Sequence, residues 1–183
     1  NAEDPAQLRM RARLATTALI LVGLLFGGCS SPSSHLAEAE EQYAATEYYQ
    51  AFHAIEQARE AYPDDEEIEA AYWKIRLPYL LKQGQELVFA NREEEALAYF
   101  EKALVLDPGN EIALSWMRKA DDKMATRAAY EADWLRKRGE LKQALVKYHE
   151  AFQHQSGNPE AEAGLRMLGD IWRKMQDQAQ YHY

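Results

Sequence analysis

From residue 35 onward, small and apolar side chains recur at helical spacing, and one pattern occurs three times. Ala39, Gly84 and Ala132 are each followed twelve residues later by an alanine, Ala51, Ala96 and Ala144. Four and seven residues beyond those alanines stand Ile55 with Ala58, Phe100 with Ala103, and Tyr148 with Ala151. Positions i, i+4 and i+7 share one helical face. Thr46, Asn91 and Gly139 fall between the small residue and the alanine, where one helix would turn into the next. Asparagine and glycine tolerate the left-handed backbone such a turn needs. Small residues facing each other let two antiparallel helices approach closely, and the Ile, Phe or Tyr fills the remaining space. Twelve residues past each alanine come Pro63, Pro108 and Ser156, and a proline there stops the second helix, because it lacks the donor and clashes with the preceding turn. The pattern predicts three helical hairpins and no strands.

These residues resemble the tetratricopeptide repeat family, whose unit of about 34 residues carries small, small, aromatic, small and proline residues at such intervals. The most complete copy spans residues 77–110, with Gly84, Leu87, Ala96, Phe100, Ala103 and Pro108 in place. In the first copy, 32–65, Gln42 replaces the expected aromatic and His35 the opening tryptophan. The third, 125–158, keeps Ala132, Leu135, Ala144, Tyr148 and Ala151 and has Ser156 for the proline. The resemblance implies an all-α, right-handed solenoid of helical hairpins over residues 35–158.

Ala51 to Ala96 is 45 residues and Ala96 to Ala144 is 48. The surplus over the family unit is close to three and four whole turns at about 3.6 residues per turn, so faces stay in phase if each first helix is lengthened. Asn110 caps a run over 111–138 free of proline and glycine, a helix of about 42 Å. In the equivalent run after Asp65, Pro78 predicts a kink or a restart near Leu77. Asn158 and Pro159 open a further helix through Ala161, Leu165, Leu168 and Trp172. Residues 159–183 read either as a capping helix or as the start of a truncated fourth repeat.

Composition fits helices: alanine, leucine, glutamate, lysine, arginine and glutamine dominate after residue 35. The chain of 183 residues has one cysteine, which excludes an internal disulfide framework. Its formal charge is -9, and residues 29–183 carry -10 once Arg9, Arg11 and Arg13 are set against Glu3 and Asp4. Such an acidic body is repelled by phosphate backbones, so nucleic acid is not an expected partner.

The same three arginines precede an apolar stretch over 14–26 (LATTALILVGLLF), then Gly27, Gly28 and Cys29. A basic head, an apolar core too short for the roughly 20 residues of a membrane span, and small residues at a cleavage site describe a secretory signal over 1–28. Residues 1–9 are a poor signal head, which points to a translation start at Met10. The run Leu25-Phe26-Gly27-Gly28-Cys29 resembles the lipobox of bacterial lipoproteins, with Phe26 in place of the usual aliphatic residue. That resemblance implies acylation of Cys29 and stable membrane attachment, with Ser30 favouring outer-membrane sorting and a periplasm-facing body in a Gram-negative source. The remainder of 29–34 then reads as a flexible tether.

Candidate chemistry is sparse. His149 and His154 are five residues apart, which turns the second about 140° from the first and away from a shared metal. No phosphate loop, nucleophile elbow or cysteine–histidine pair occurs, and neither catalysis nor a cofactor is expected. The acidic run at residues 64–67 suits a helix start. Trp73, Trp116, Trp134 and Trp172 are expected in the core. Carried over by the repeat resemblance, an inner groove is lined by Glu40 and Tyr43, by Leu81, Gln85, Val88 and Phe89, and by Tyr130, Asp133, Arg136 and Lys137, with an apolar patch at Val88 and Phe89 suited to a helix or extended peptide. The expectation is a lipid-anchored scaffold that binds other envelope proteins, in pilus or secretin assembly, β-barrel assembly or cell-wall enzyme complexes. Two other readings stay open: an arm or spacer of a larger secretion machine, and an accessory to an envelope hydrolase.

Overall fold

The computed structural model describes residues 31–180, so Cys29 and the signal-like segment lie outside the described residues. Those described form seven helices and no strand: α1 (Pro32–Ala44), α2 (Tyr48–Ala61), α3 (Glu66–Phe89), α4 (Glu93–Leu106), α5 (Glu111–Lys137), α6 (Leu141–His154) and α7 (Pro159–Gln180). The fold is all-α. Two compact units divide it, one up to Tyr72 and one from Trp73 onward.

Every hairpin turns through three residues in the same conformation. After α1, α3 and α5 the chain enters the left-handed region at Thr46 (φ 63), Asn91 (φ 59) and Gly139 (φ 81). The next amide reaches back five residues: Glu47 N–H donates to the Gln42 carbonyl at 2.9 Å, Arg92 to Leu87 at 2.9 Å and Glu140 to Leu135 at 3.0 Å. This motif satisfies carbonyls that the helix end would otherwise strand. The second helix starts at once, because Ala51, Ala96 and Ala144 donate to the carbonyls of Glu47, Arg92 and Glu140. Thr46 is the strained member, since a β-branched residue fits poorly at positive φ.

The second helices are all 14 residues long, including α6, which ends at His154 with Ser156 in the place of the proline. Proline is therefore not what stops them. An asparagine or aspartate does the work, by capping the following helix: Asp65 Oδ1 accepts from the Glu67 and Ile68 amides, Asn110 Oδ1 from Ala113 at 3.0 Å and Asn158 Oδ1 from Ala161 at 2.9 Å.

The small and apolar positions of the threefold pattern are all buried, from Ala39, Ala51, Ile55 and Ala58 in the first unit to Ala132, Ala144, Tyr148 and Ala151 in the second. In the first unit α1 packs on α2, and Phe52 lies against Tyr72 with ring centroids 5.6 Å apart. In the second, the Phe100 ring lies so close to Gly84 that a β-carbon there would sit 2.5 Å from it, and Tyr148 presses on Gly164 more closely still. The first helices are lengthened, α3 to 24 residues and α5 to 27. The first half of α5 completes one apolar cluster with α3 and α4 through Ala113 and Ala120. Its second half completes another with α6 and α7 through Ala128, Ala129 and Ala132.

Three expectations need correcting. Of the kink or restart expected near Leu77, the restart does not occur, and helix α3 runs on through Pro78: buried Ile75, Leu80 and Leu81 around the proline outweigh the one ladder bond it removes. Helix α1 begins at Pro32 after Ser31, inside the stretch read as a tether, because proline is preorganised for the first helical position. Three of the four tryptophans are not core residues, since Trp73, Trp134 and Trp172 are about half exposed, whereas Trp116 is partly buried against the cluster of α3, α4 and α5. Seams closed by alanine leave no room for an indole, and the rings instead lie beneath cations, Arg76 on Trp73, Lys119 on Trp116 and Arg138 on Trp134.

Two glycines inside helices should respond with opposite signs. Alanine ordinarily favours a helix interior over glycine by about 1 kcal/mol, and open space surrounds Gly169, so Gly169→Ala should raise the urea midpoint. Gly84→Ala drives a methyl into the Phe100 ring and should cost about 1–3 kcal/mol. Thr46→Asn, which relieves the turn, should gain about 1 kcal/mol. Chemical denaturation with unchanged m-values checks all three.

Candidate functional site

The polar residues of the second unit converge where the end of α3 and the start of α4 meet the middle of α5. Glu93, the first residue of α4, is fully buried. Two cations one turn apart on α5 hold it: Lys123 Nζ lies 2.9 Å from Oε1 and Arg127 donates to Oε2 at 2.6 Å. The ammonium of Lys123 also donates to the Val88 carbonyl at 2.7 Å and to Asn91 Oδ1 at 3.0 Å. Its contact with Glu93 is accordingly ionic rather than a well-directed hydrogen bond. Burial alone pushes the Glu93 carboxyl up, but Lys123 and Arg127 outweigh it and hold the group below the usual glutamate range. A carboxylate held ionised in this way is a poor proton acceptor at neutral pH.

This cluster floors an open groove of about 520 Å³ bounded also by Asp122, Thr126 and Tyr130. Tyr130 is 70% exposed and borders a second hollow of about 200 Å³ with Asp133, Tyr148, Glu160 and Met167. Asp133 binds both Arg136 and, at 2.6 Å, Lys137, and accepts from the Tyr148 hydroxyl at 3.5 Å. Lys137 and Arg136 together hold the Asp133 carboxyl low against its partial burial. An exposed aromatic ring thus stands between two clusters of paired charges.

Of the residues expected to line a groove, the structure brings Tyr130, Asp133, Arg136 and Lys137 together on the last turns of α5. Gln85 is half-buried on α3. Phe89, at its end, is 73% exposed, with its ring edge-on to Trp116 at 5.4 Å. Leu81 and Val88 are buried in the core with Phe100 and Ala96, which leaves Phe89 as the exposed member of the expected apolar patch. Glu40 is exposed on α1, and Tyr43 is half-buried against Tyr48 at 5.7 Å; both belong to the first unit. Glu93, Lys123 and Arg127 were not expected. Glu93 is the first of three consecutive glutamates that open α4, a place where exposed acidic residues are ordinary. The signal for burial lay in the repeat register, where Glu93 takes the place of Leu141.

Among the described residues no group of His, Cys, Asp and Glu is placed to hold a metal, and no helix is long and apolar enough to cross a membrane. No family model and no curated protein matches the chain.

The pH dependence follows from sign. Glu93 and Asp133 titrate lower folded than unfolded, so they stabilise the fold above their unfolded values of about 4 and release that stability as pH falls through their folded values. Thermal melting should be flat near neutrality and fall below about pH 4. Glu93→Gln should cost about 1–3 kcal/mol at neutral pH, since Lys123 and Arg127 are left without their anion, and should flatten the acid limb. Replacing the cluster with its counterparts from the next repeat, Glu93→Leu with Lys123→Ile and Arg127→Met, should leave stability equal or higher.

Proposed function

We propose that the chain is a protein-binding scaffold of the tetratricopeptide repeat type, a right-handed solenoid of helical hairpins that performs no chemistry of its own. The lipobox-like run ending at Cys29 supports a lipoprotein held at the bacterial outer membrane, with the helical body facing the periplasm and meeting other envelope proteins there. One observation carries the binding role: exposed Tyr130 set between the Glu93 and Asp133 clusters, on a helix anchored in two apolar cores. Aromatic and arginine side chains contribute most of the binding energy at protein interfaces. Ion pairs that fix Arg127 and Arg136 beforehand reduce the ordering cost of association. The second hollow, with Tyr130 and Met167 beside Asp133 and Glu160, suits a mixed apolar and basic segment of a partner.

Affinity capture from envelope extracts tests this reading. Tyr130→Ala, Phe89→Ala and Arg136→Glu should each reduce recovery of the partners held by the wild type, with a helical circular dichroism spectrum unchanged; equal recovery by all three would remove the groove. Cys29→Ser should abolish incorporation of labelled palmitate and release the protein from the membrane fraction, and continued labelling would remove the anchor.

A further inference from the structure

The buried carboxylate of Glu93 does more than neutralise two cations. One repeat later, 48 residues on, Leu141, Ile171 and Met175 stand in the places of Glu93, Lys123 and Arg127, and Leu141 packs against an apolar cluster. Apolar side chains therefore serve the fold at this place, and a buried ionic trio adds little stability over them. What the trio changes is the set of hydrogen-bonding groups presented to the groove.

Lys123 presents none. Its three donors meet the Glu93 carboxylate, the Val88 carbonyl and Asn91 Oδ1. Because Asn91 accepts from Lys123 through its oxygen, the two N–H donors at the other end of the amide are left over, on a turn fixed by left-handed backbone. Arg127 is half exposed and donates through Nη1 to Glu93 at 2.6 Å. Its Nε and Nη2 edge makes no hydrogen bond among the described residues: the carboxylate of Glu94 stands 3.7 Å from Nη2, beyond hydrogen-bond reach. Tyr130 adds an exposed hydroxyl. Asp122, also on the wall, pairs with neither cation. The groove thus offers donors from Asn91, Arg127 and Tyr130, around a guanidinium tied at one corner to a carboxylate that solvent does not reach.

We propose that this groove binds an internal aspartate or glutamate side chain of a partner protein, its carboxylate taken by the Nε and Nη2 edge of Arg127 and by the Asn91 amide. The assignment rests on the reading of this face as a protein-binding groove and names the chemistry it selects. A guanidinium edge matches a carboxylate with two parallel hydrogen bonds. Glu94, whose carboxylate already stands near that edge, is the internal competitor that the partner displaces. Tyr130 borders this groove and the second hollow alike, so the bound segment continues past the ring and presents a side chain rather than a chain end.

The test titrates the isotopically labelled full chain with three acetylated pentapeptides of alanine and leucine around one central residue. The first has glutamate and an amidated end, the second glutamine and an amidated end, the third glutamine and a free carboxylate end. The side-chain N–H resonances of Arg127 and Asn91, assigned with Arg127→Lys and Asn91→Ala, report binding. The glutamate peptide should move both saturably, with an affinity about tenfold above either glutamine peptide. Arg127→Lys, which keeps the charge beside Glu93 and loses the fork, should erase that preference. Glu94→Gln should tighten the glutamate peptide about twofold by removing the competitor. Glu94 is 79% exposed, so this variant reads the site without disturbing the core. Equal binding of the three peptides, preference for the free end, a preference kept by Arg127→Lys, or an affinity unmoved by Glu94→Gln would overturn the proposal. Tyr130→Ala should weaken all three alike; if they bind equally and all weaken, the groove stands and the carboxylate assignment falls. Binding of none removes the assignment and leaves the groove to the capture experiment.

Discussion

An aromatic ring lying directly on a glycine is the contact from which the second unit is organised. Phe100 on Gly84 and Tyr148 on Gly164 bring helix backbones within reach of one another, and alanines at Ala96, Ala132, Ala144 and Ala151 keep the rest of each seam equally thin. Dispersion falls off steeply with separation, so a seam without β-carbons gains more from each ring than one that holds it away. The close approach also dictates what is excluded: bulky side chains such as Trp134 and Trp172 have no place in it and lie outside.

Thin seams make short hairpins, and each is marginal alone. Length in the first helices solves this, because α5 serves two apolar clusters in succession and joins them into one unit. The handover occurs near Lys123 and Arg127, where an ionic cluster replaces apolar packing. Its buried carboxylate is neutralised twice over, which avoids the large penalty of an unpaired charge without adding much beyond what a hydrophobic substitute would give. The same cluster fixes the cations beside Tyr130, so a device that contributes little to stability organises the exposed face.

Periodicity revealed the seams and the turns before any coordinates, because a helix interior is encoded by side-chain size at fixed intervals. Ala39, Gly84, Ala132 and their partners are all buried, and left-handed residues stand at Thr46, Asn91 and Gly139. Depth around the helix was harder to read. Leu81 and Val88 fall on the family's groove positions, yet here they are rotated into the core beside Phe100. Pro78 pointed to a kink or a restart, and only the burial of its neighbours shows why the helix continues through it. The Glu93 cluster was hidden for another reason: its carboxylate on α4 and its two cations on α5 are 30 and 34 residues apart, and an ionic contact between helices leaves a trace only in the comparison of one repeat with the next.

The central claim concerns two pairs of atoms and is open to direct observation. Nuclear magnetic resonance of the full chain, with assigned glycine α-protons, reports the ring above each one. The account predicts strong nuclear Overhauser contacts from Gly84 to the Phe100 ring and from Gly164 to the Tyr148 ring, with both sets of α-protons shifted upfield by the ring current. Ordinary glycine shifts at both positions, without ring contacts, would contradict it.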